Sequence, residues 1–306
     1  MNETIKLNDF QLISNGDCIN SCLHSVFDYF GYRCDDFALF LQSNPFSAYN
    51  QNDEPDEIFI DLLNQFKMIN TWHEKKPAYE FFLTSIKGNY PIIVFLDTSC
   101  LFYDSVYQKN TGRRHCIIVH GVIPETQELL ISDTHIRTDN SEICKFTGYI
   151  KFTDIKNCIY VSTALSPGNN IDDIIFDQNL VIKALKNSFN NGFFTSLRAF
   201  YEELNLIGEL SCEEFEKKCV DYYYHISVAR YIQFNYYLKD YYATTQLNLE
   251  ITLLDQIIDS WEIIKHLLIK ISIRKNKMQI IKVVEKINQS IDLSENFYYR
   301  IIEKNK

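Results

Sequence analysis

Few residues in this chain combine reactive chemistry with a setting that could use it. Cys18 follows the polar run Asn15-Gly16-Asp17 and opens a segment with apolar residues at 19, 22, 23, 26, 27 and 30. That spacing predicts a helix, with Gly31 as its C-cap. A helix N-terminus carries partial positive charge and N–H groups without intrahelical partners. Both favour a thiolate over a thiol, and the N–H groups can also hold an oxyanion. Cys18 therefore has the place of a nucleophile. The plainer alternative is a buried core cysteine at a helix start. Cys22 and Cys34 have no comparable setting and read as packing residues.

A cysteine nucleophile needs a base and a group that orients the base. The chain has seven histidines. His24 lies six residues along the predicted helix, over a turn and a half from Cys18, and faces away. His73 reads as a loop residue beside Trp72, and His225 and His266 fall in the later, helical half. His135 follows Asp133-Thr134 at the end of a later strand, and the run Thr111-Gly-Arg-Arg-His115-Cys-Ile-Ile-Val-His120-Gly121 holds the other two. It opens a strand straight after a polar loop. His115 and His120 are an odd number of residues apart, so on a regular strand they face opposite sides and cannot share one site. That also argues against a two-histidine metal site. His115, at the strand mouth, is the preferred base. The next strand ends Leu129-Leu-Ile-Ser-Asp133, after a predicted hairpin at 124–127. A carboxylate there would lie beside the start of the His115 strand and could hold the imidazole tautomer. Alone, Asp133 reads as a turn residue bonding its own backbone. With Cys18 and His115 it supplies the third role.

The elements that must hold these residues change character along the chain. Before about residue 165 the pattern is mixed. Helices are predicted at 18–30, 53–67 and 77–87, and strands at 91–97, 115–122, 129–133, 148–152 and 157–162. Helices first and strands later predict an α+β domain. Ser-Pro-Gly-Asn-Asn at 166–170 is a loop signal and the predicted boundary. Helical segments follow at 171–189, 194–206, 212–243, 246–272 and 277–304.

Composition sets the outer limits. The 306 residues are 46% apolar and 23% charged, with 9 Gly and 6 Pro, which excludes collagen-like, linker-like and disordered readings. The net charge of -10 lacks the basic face a nucleic-acid binder needs. Nine cysteines form no spaced framework and no CxxC pair, so reduced thiols and a cytoplasmic location are expected. No signal stretch opens the chain, and no run approaches the ~18 apolar residues of a membrane span.

Asp17-Cys18, entering a helix that ends Tyr29-Phe30-Gly31, resembles the corresponding segment of papain-like bacterial cysteine peptidases. These include the leader-peptidase domain of bacteriocin exporters. His115-Cys-Ile-Ile-Val-His-Gly-Val, followed by Ile-Ser-Asp133, resembles their histidine and aspartate segments. The resemblance covers about residues 8–162 and implies a papain-like fold, followed by an all-α C-terminal region. It also implies a Cys18–His115–Asp133 triad, with Gln11 as the oxyanion glutamine, although its spacing is one residue off. Ile19-Asn20 and Thr134 stand where the peptidases have Gly-Pro and Pro. The pattern looks closer to the butirosin-biosynthesis-H-like branch and to stand-alone amide-forming enzymes of closthioamide-type assembly. The domains implied are a catalytic domain at 1–165 and a helical domain at 171–306 that covers or extends the active site.

Three functions compete. The favoured one is an acyltransferase. Cys18 would take an acyl group from an acyl or peptidyl carrier protein, presented as a phosphopantetheine thioester, and pass it to a small amine. No cofactor, metal, nucleic acid or membrane is expected to take part. Arg113-Arg114 is a candidate carrier-docking patch, although solvated loop charges are the simpler reading. The second function is a peptidase using the same triad on a leader peptide. The expectation tilts to transfer because no exporter membrane domain follows and a large helical region does. The third is a binding module in which Cys18 is only buried.

Overall fold

A computed structural model describes residues 3–14, 17–43, 45–46, 69–103, 114–137, 143–167, 173–241 and 250–305. The helix expected at 53–67 and the loop signal at 168–170 lie outside these residues. The chain divides into two compact units, Met1–Leu39 with Asn52–Ile175, and Phe40–Gln51 with Phe176–Lys306.

The first unit is built on one antiparallel sheet. Its strands are β1 (Ile5–Lys6), β2 (Ile69–Lys75), β3 (Ile92–Asp97), β4 (Arg114–Ile123), β5 (Glu128–Arg137), β6 (Ile143–Lys151) and β7 (Ile159–Pro167). They lie in the order β2-β7-β3-β4-β5-β6, with β1 pairing the far end of β4 through Ile5 with Val122 and Lys6 with Gly121. Helix α1 (Cys18–Tyr29) packs on β4 and β5. Helix α2 is Asp36–Gln42. Helix α3 (Tyr79–Lys87) packs on β1, β3 and β4 and buries Tyr79, Phe82 and Ile86 against Ile92, Val94, Ile117 and Val119. A short α4 (Phe152–Ile155) links β6 to β7. β3 and β4 are buried almost throughout, which explains their continuous apolar runs. β2, which the sequence leaves as loop, is an edge strand whose Trp72, His73 and Glu74 are exposed. An edge with both faces wet has no apolar alternation to read.

Two local devices shape β4. Val119 pairs with Ile131 but Gly121 pairs with Leu130, so His120 is the extra residue of a bulge. The chain of β1 crosses close by, and the Leu7 N–H donates to the His120 carbonyl (2.8 Å). A Cβ on Gly121 would lie 3.0 Å from Lys6 Cβ and 3.2 Å from the Ile5 carbonyl oxygen, so only glycine fits there without displacement.

Cys100, in the 3-10 turn after β3, forms a disulfide with Cys158, just before β7. This corrects the expectation that every thiol is reduced. The pair is 58 residues apart in sequence, and antiparallel pairing of β3 with β7 brings the two turns together. The other described cysteines form no disulfide.

The second unit is helical: α5 (Gln178–Asn190), α6 (Phe193–Glu202), α7 (Cys212–Val228), α8 (Arg230–Asp240), α9 (Ile251–Arg274) and α10 (Ile280–Lys304). Each amphipathic segment buries one face around Trp261, Tyr201, Phe234 and Tyr298. Phe46 packs edge-on against Phe193, Phe234 and Tyr298. The long 212–243 segment is broken at Ala229, whose backbone is extended (φ -64, ψ 121). None of the described helices is long and apolar enough to cross a membrane.

Candidate active site

Cys18 is the first residue of α1. The helix starts there because Asp17 caps it. The Asn20 backbone N–H donates to Asp17 Oδ1 (2.8 Å), and Asn20 Nδ2 donates to Oδ2 (3.1 Å). It stops at Gly31, whose φ of +79 is the left-handed turn that ends a helix. Cys22, Leu23, Val26 and Phe27 are buried and hold the helix on the sheet, while Cys18 keeps partial access to solvent.

His115 is the second residue of β4 and Asp133 the sixth of β5; both are buried. His115 Nε2 lies 2.8 Å from Asp133 Oδ2 and 2.9 Å from Oδ1. An ionised carboxylate only accepts, so Nε2–H is the donor. On its other side His115 hydrogen-bonds Cys18, for which Nδ1 is the nitrogen left. Burial works against a charged imidazole here. The charges of Asp133 and Cys18, with hydrogen bonds to both, outweigh it and hold the pKa well above the ordinary 6.5. The arrangement suits a thiolate–imidazolium pair steadied by a buried carboxylate.

His120 is buried too but serves a different partner. Its Nε2 lies 2.9 Å from Ser132 Oγ, and its ring stacks on Phe10 with centroids 4.7 Å apart. Burial, helped by nearby Lys6, lowers its pKa to about 4. Ser132 and Asp133 are consecutive on β5 and point to opposite faces, so the two histidines, each bonded to one of them, are kept apart. His73, on β2, pairs with Thr163 Oγ1 (3.0 Å).

Gln11 is exposed on the irregular stretch before α1. On the same stretch Phe10 packs on Tyr29, and the Ile13 N–H donates to Ser25 Oγ (2.9 Å). The structure groups Cys18, His115 and Asp133 through the hydrogen bonds of His115. Asn20 N–H is taken by Asp17 Oδ1, and Ser21 N–H bonds the Asp17 carbonyl (3.0 Å). Any backbone oxyanion donor of this first turn comes from Cys18 or Ile19.

Three neighbours were not evident from sequence spacing. Cys116 hydrogen-bonds Cys18, and burial, with that bond and the Cys18 charge, pushes its own pKa well up. Cys22 is likewise pushed up, first by burial and then by Cys18 and Asp133. The Tyr103 hydroxyl donates to Asp133 Oδ2 (3.1 Å). Arg114 lies over the Tyr160 ring, 5.0 Å from its centroid, while Arg113 is outside the described residues. Among the described residues no group of three or more His, Cys, Asp or Glu side chains is placed to hold a metal.

A helix-borne cysteine is thus set against an antiparallel sheet that carries a His–Asp pair, in an α+β unit that helices follow in the chain. Among solved structures, a Bacillus anthracis protein provisionally described as a C39-like peptidase matches with 11% identity and a TM-score of 0.38, over 55% of this chain and all of that one. No protein-family model matches the chain, and no curated protein does.

Proposed function

We propose that residues 1–165 form the catalytic domain of a cysteine-dependent acyltransferase with Cys18 as nucleophile, His115 as base and Asp133 as orienting acid. The observation that carries this reading is the buried His115, hydrogen-bonded to Asp133 on one side and to Cys18 on the other. Cys18 thiolate attacks a carrier-bound thioester. The carrier sulfur leaves, taking up the imidazolium proton, and acyl-Cys18 forms. Neutral His115 then accepts a proton from an incoming amine as its nitrogen attacks. The amide departs, and the Cys18 thiolate and imidazolium are restored. The setting proposed is thiotemplated natural-product assembly, with a phosphopantetheine carrier protein as donor and a small amine as acceptor. Asn20 supports a site unlike that of the peptidases, because it stands where they have proline. Its backbone N–H, which proline lacks, caps the helix through Asp17.

A second reading, peptide cleavage, uses the same His115, placed between Asp133 and Cys18, as proton donor. An amide's amine leaving group needs a proton, whereas a thioester's thiolate does not. Incubation with a thioester donor should add the acyl mass to Cys18, and a diamine or amino sugar should discharge it as amide faster than water does. Cleavage of a small-residue leader peptide, with every amine refused, would transfer the assignment to the peptidase.

A further inference from the structure

Asp133 is 1% exposed, so its charge depends on the donors aimed at it. One is His115 and another is the Tyr103 hydroxyl. The placing of Tyr103 is specific. Phe146 on β6 is the cross-strand partner of Asp133, and the Tyr103 ring lies flat on Phe146, with centroids 4.0 Å apart and 9° between planes. The stack brings the phenol oxygen within reach of the carboxylate beside it. The stack also has a reserved space. A Cβ on Gly148 would fall 2.6 Å from Phe146 Cζ, so the bare glycine leaves that ring its position. At the other end, fully buried Leu101 and the Cys100–Cys158 bridge anchor the turn that leads into Tyr103.

We propose that Tyr103 is a positioning residue of the active site: its hydroxyl, held by the Phe146 shelf, fixes the Asp133 carboxylate and through it the His115 ring. This rests on the Cys18–His115–Asp133 reading. Among the described residues, titratable groups that face the pair include Cys18 and Cys22 on α1 and Tyr103 itself, with Cys116 adjoining Cys18. A phenol donating to a carboxylate draws off part of the negative charge that would otherwise act on His115. Without it, Asp133 interacts more strongly with the imidazolium but is less well oriented.

Tyr103→Phe keeps the ring stack and removes the donor. In the full-length protein without substrate, the His115 ring titration followed by NMR should move to higher pH by about half a unit, a fraction of one charged hydrogen bond. Thioester turnover should fall about tenfold from the loosened geometry. A variant with a lower unfolding temperature but the wild-type His115 titration would show that Tyr103 only packs, and would overturn the proposal. The triad reading is checked separately, by whether wild-type Cys18 is alkylated faster than every other thiol. Slow Cys18 alkylation removes the triad whatever Tyr103→Phe does.

Discussion

His115 and Asp133 sit on neighbouring antiparallel strands without being opposite one another. The register that pairs Ile118 with Ser132 puts Asp133 level with Ile117, so the histidine reaches diagonally to its acid, and the two heavy atoms are 2.8 Å apart. Diagonal partners share a face of the sheet and lie within reach of long side chains. The diagonal leaves the other side of the ring for Cys18 at the start of α1.

Iodoacetamide should separate the free thiols into three groups. Cys18, stabilised by the helix terminus and imidazolium, should react fastest. Cys144 and Cys212 are exposed and should react at ordinary rates. Cys22, Cys116, Cys34 and Cys219 should be slow, because burial raises each pKa, the last two to about 12. Cys18→Ala should cost ~10⁴-fold or more in turnover. Near-wild-type activity in that variant would remove the covalent mechanism.

His115→Ala should be nearly inactive, while His120→Ala should keep most activity and lose stability. His120 bonds Ser132 and stacks on Phe10, contacts that bear on packing alone. Steady-state rates and urea midpoints of the two variants, measured side by side, would decide. The reverse ranking would place the chemistry on the other face of β4.

Asp133→Asn should cost less than Cys18→Ala, since the third member of such a group is often the least costly to lose. It should also move the His115 titration to lower pH, because the Asp133 charge is what offsets burial. An unchanged titration by NMR would mean that Asp133 does not govern the ring.

Acid should destabilise the protein between pH 6.5 and 4. His120 and His225 are both lowered from 6.5 to about 4, chiefly by burial. In that window the unfolded chain binds protons that the folded chain refuses, so stability falls as pH falls, by at most about 3 kcal/mol per histidine. Urea unfolding at pH 7 and pH 4.5 should show the loss, and His225→Phe should reduce it. Equal stability at the two pH values would contradict the burial of both rings.

Gly121→Ala should destabilise the first unit by about 1–3 kcal/mol, because the new methyl meets the β1 backbone and the Leu130 Cβ at 3.1 Å. A wild-type melting temperature would show that β1 shifts at no cost.

The parts of this protein written in single elements were legible from the residues alone. The apolar spacing and Gly31 mark α1 and place Cys18 at its start. The buried runs mark β3 and β4 and put His115 at the mouth of β4, whereas Asp133, expected at a strand end, lies within β5, which continues to Arg137. An element's own buried face imposes these patterns, so they survive in local sequence. The tertiary structure decided what depends on register and closure. The diagonal between His115 and Asp133, the bulge at His120 and the bridge between Cys100 and Cys158 all follow from which strands pair and where. Tyr103 is the sharpest case. It lies 30 residues from Asp133 and meets it only because Phe146 is the residue opposite that aspartate on β6. Pairwise contacts of that kind leave no period in the chain, since each residue need only suit a neighbour that folding brings to it.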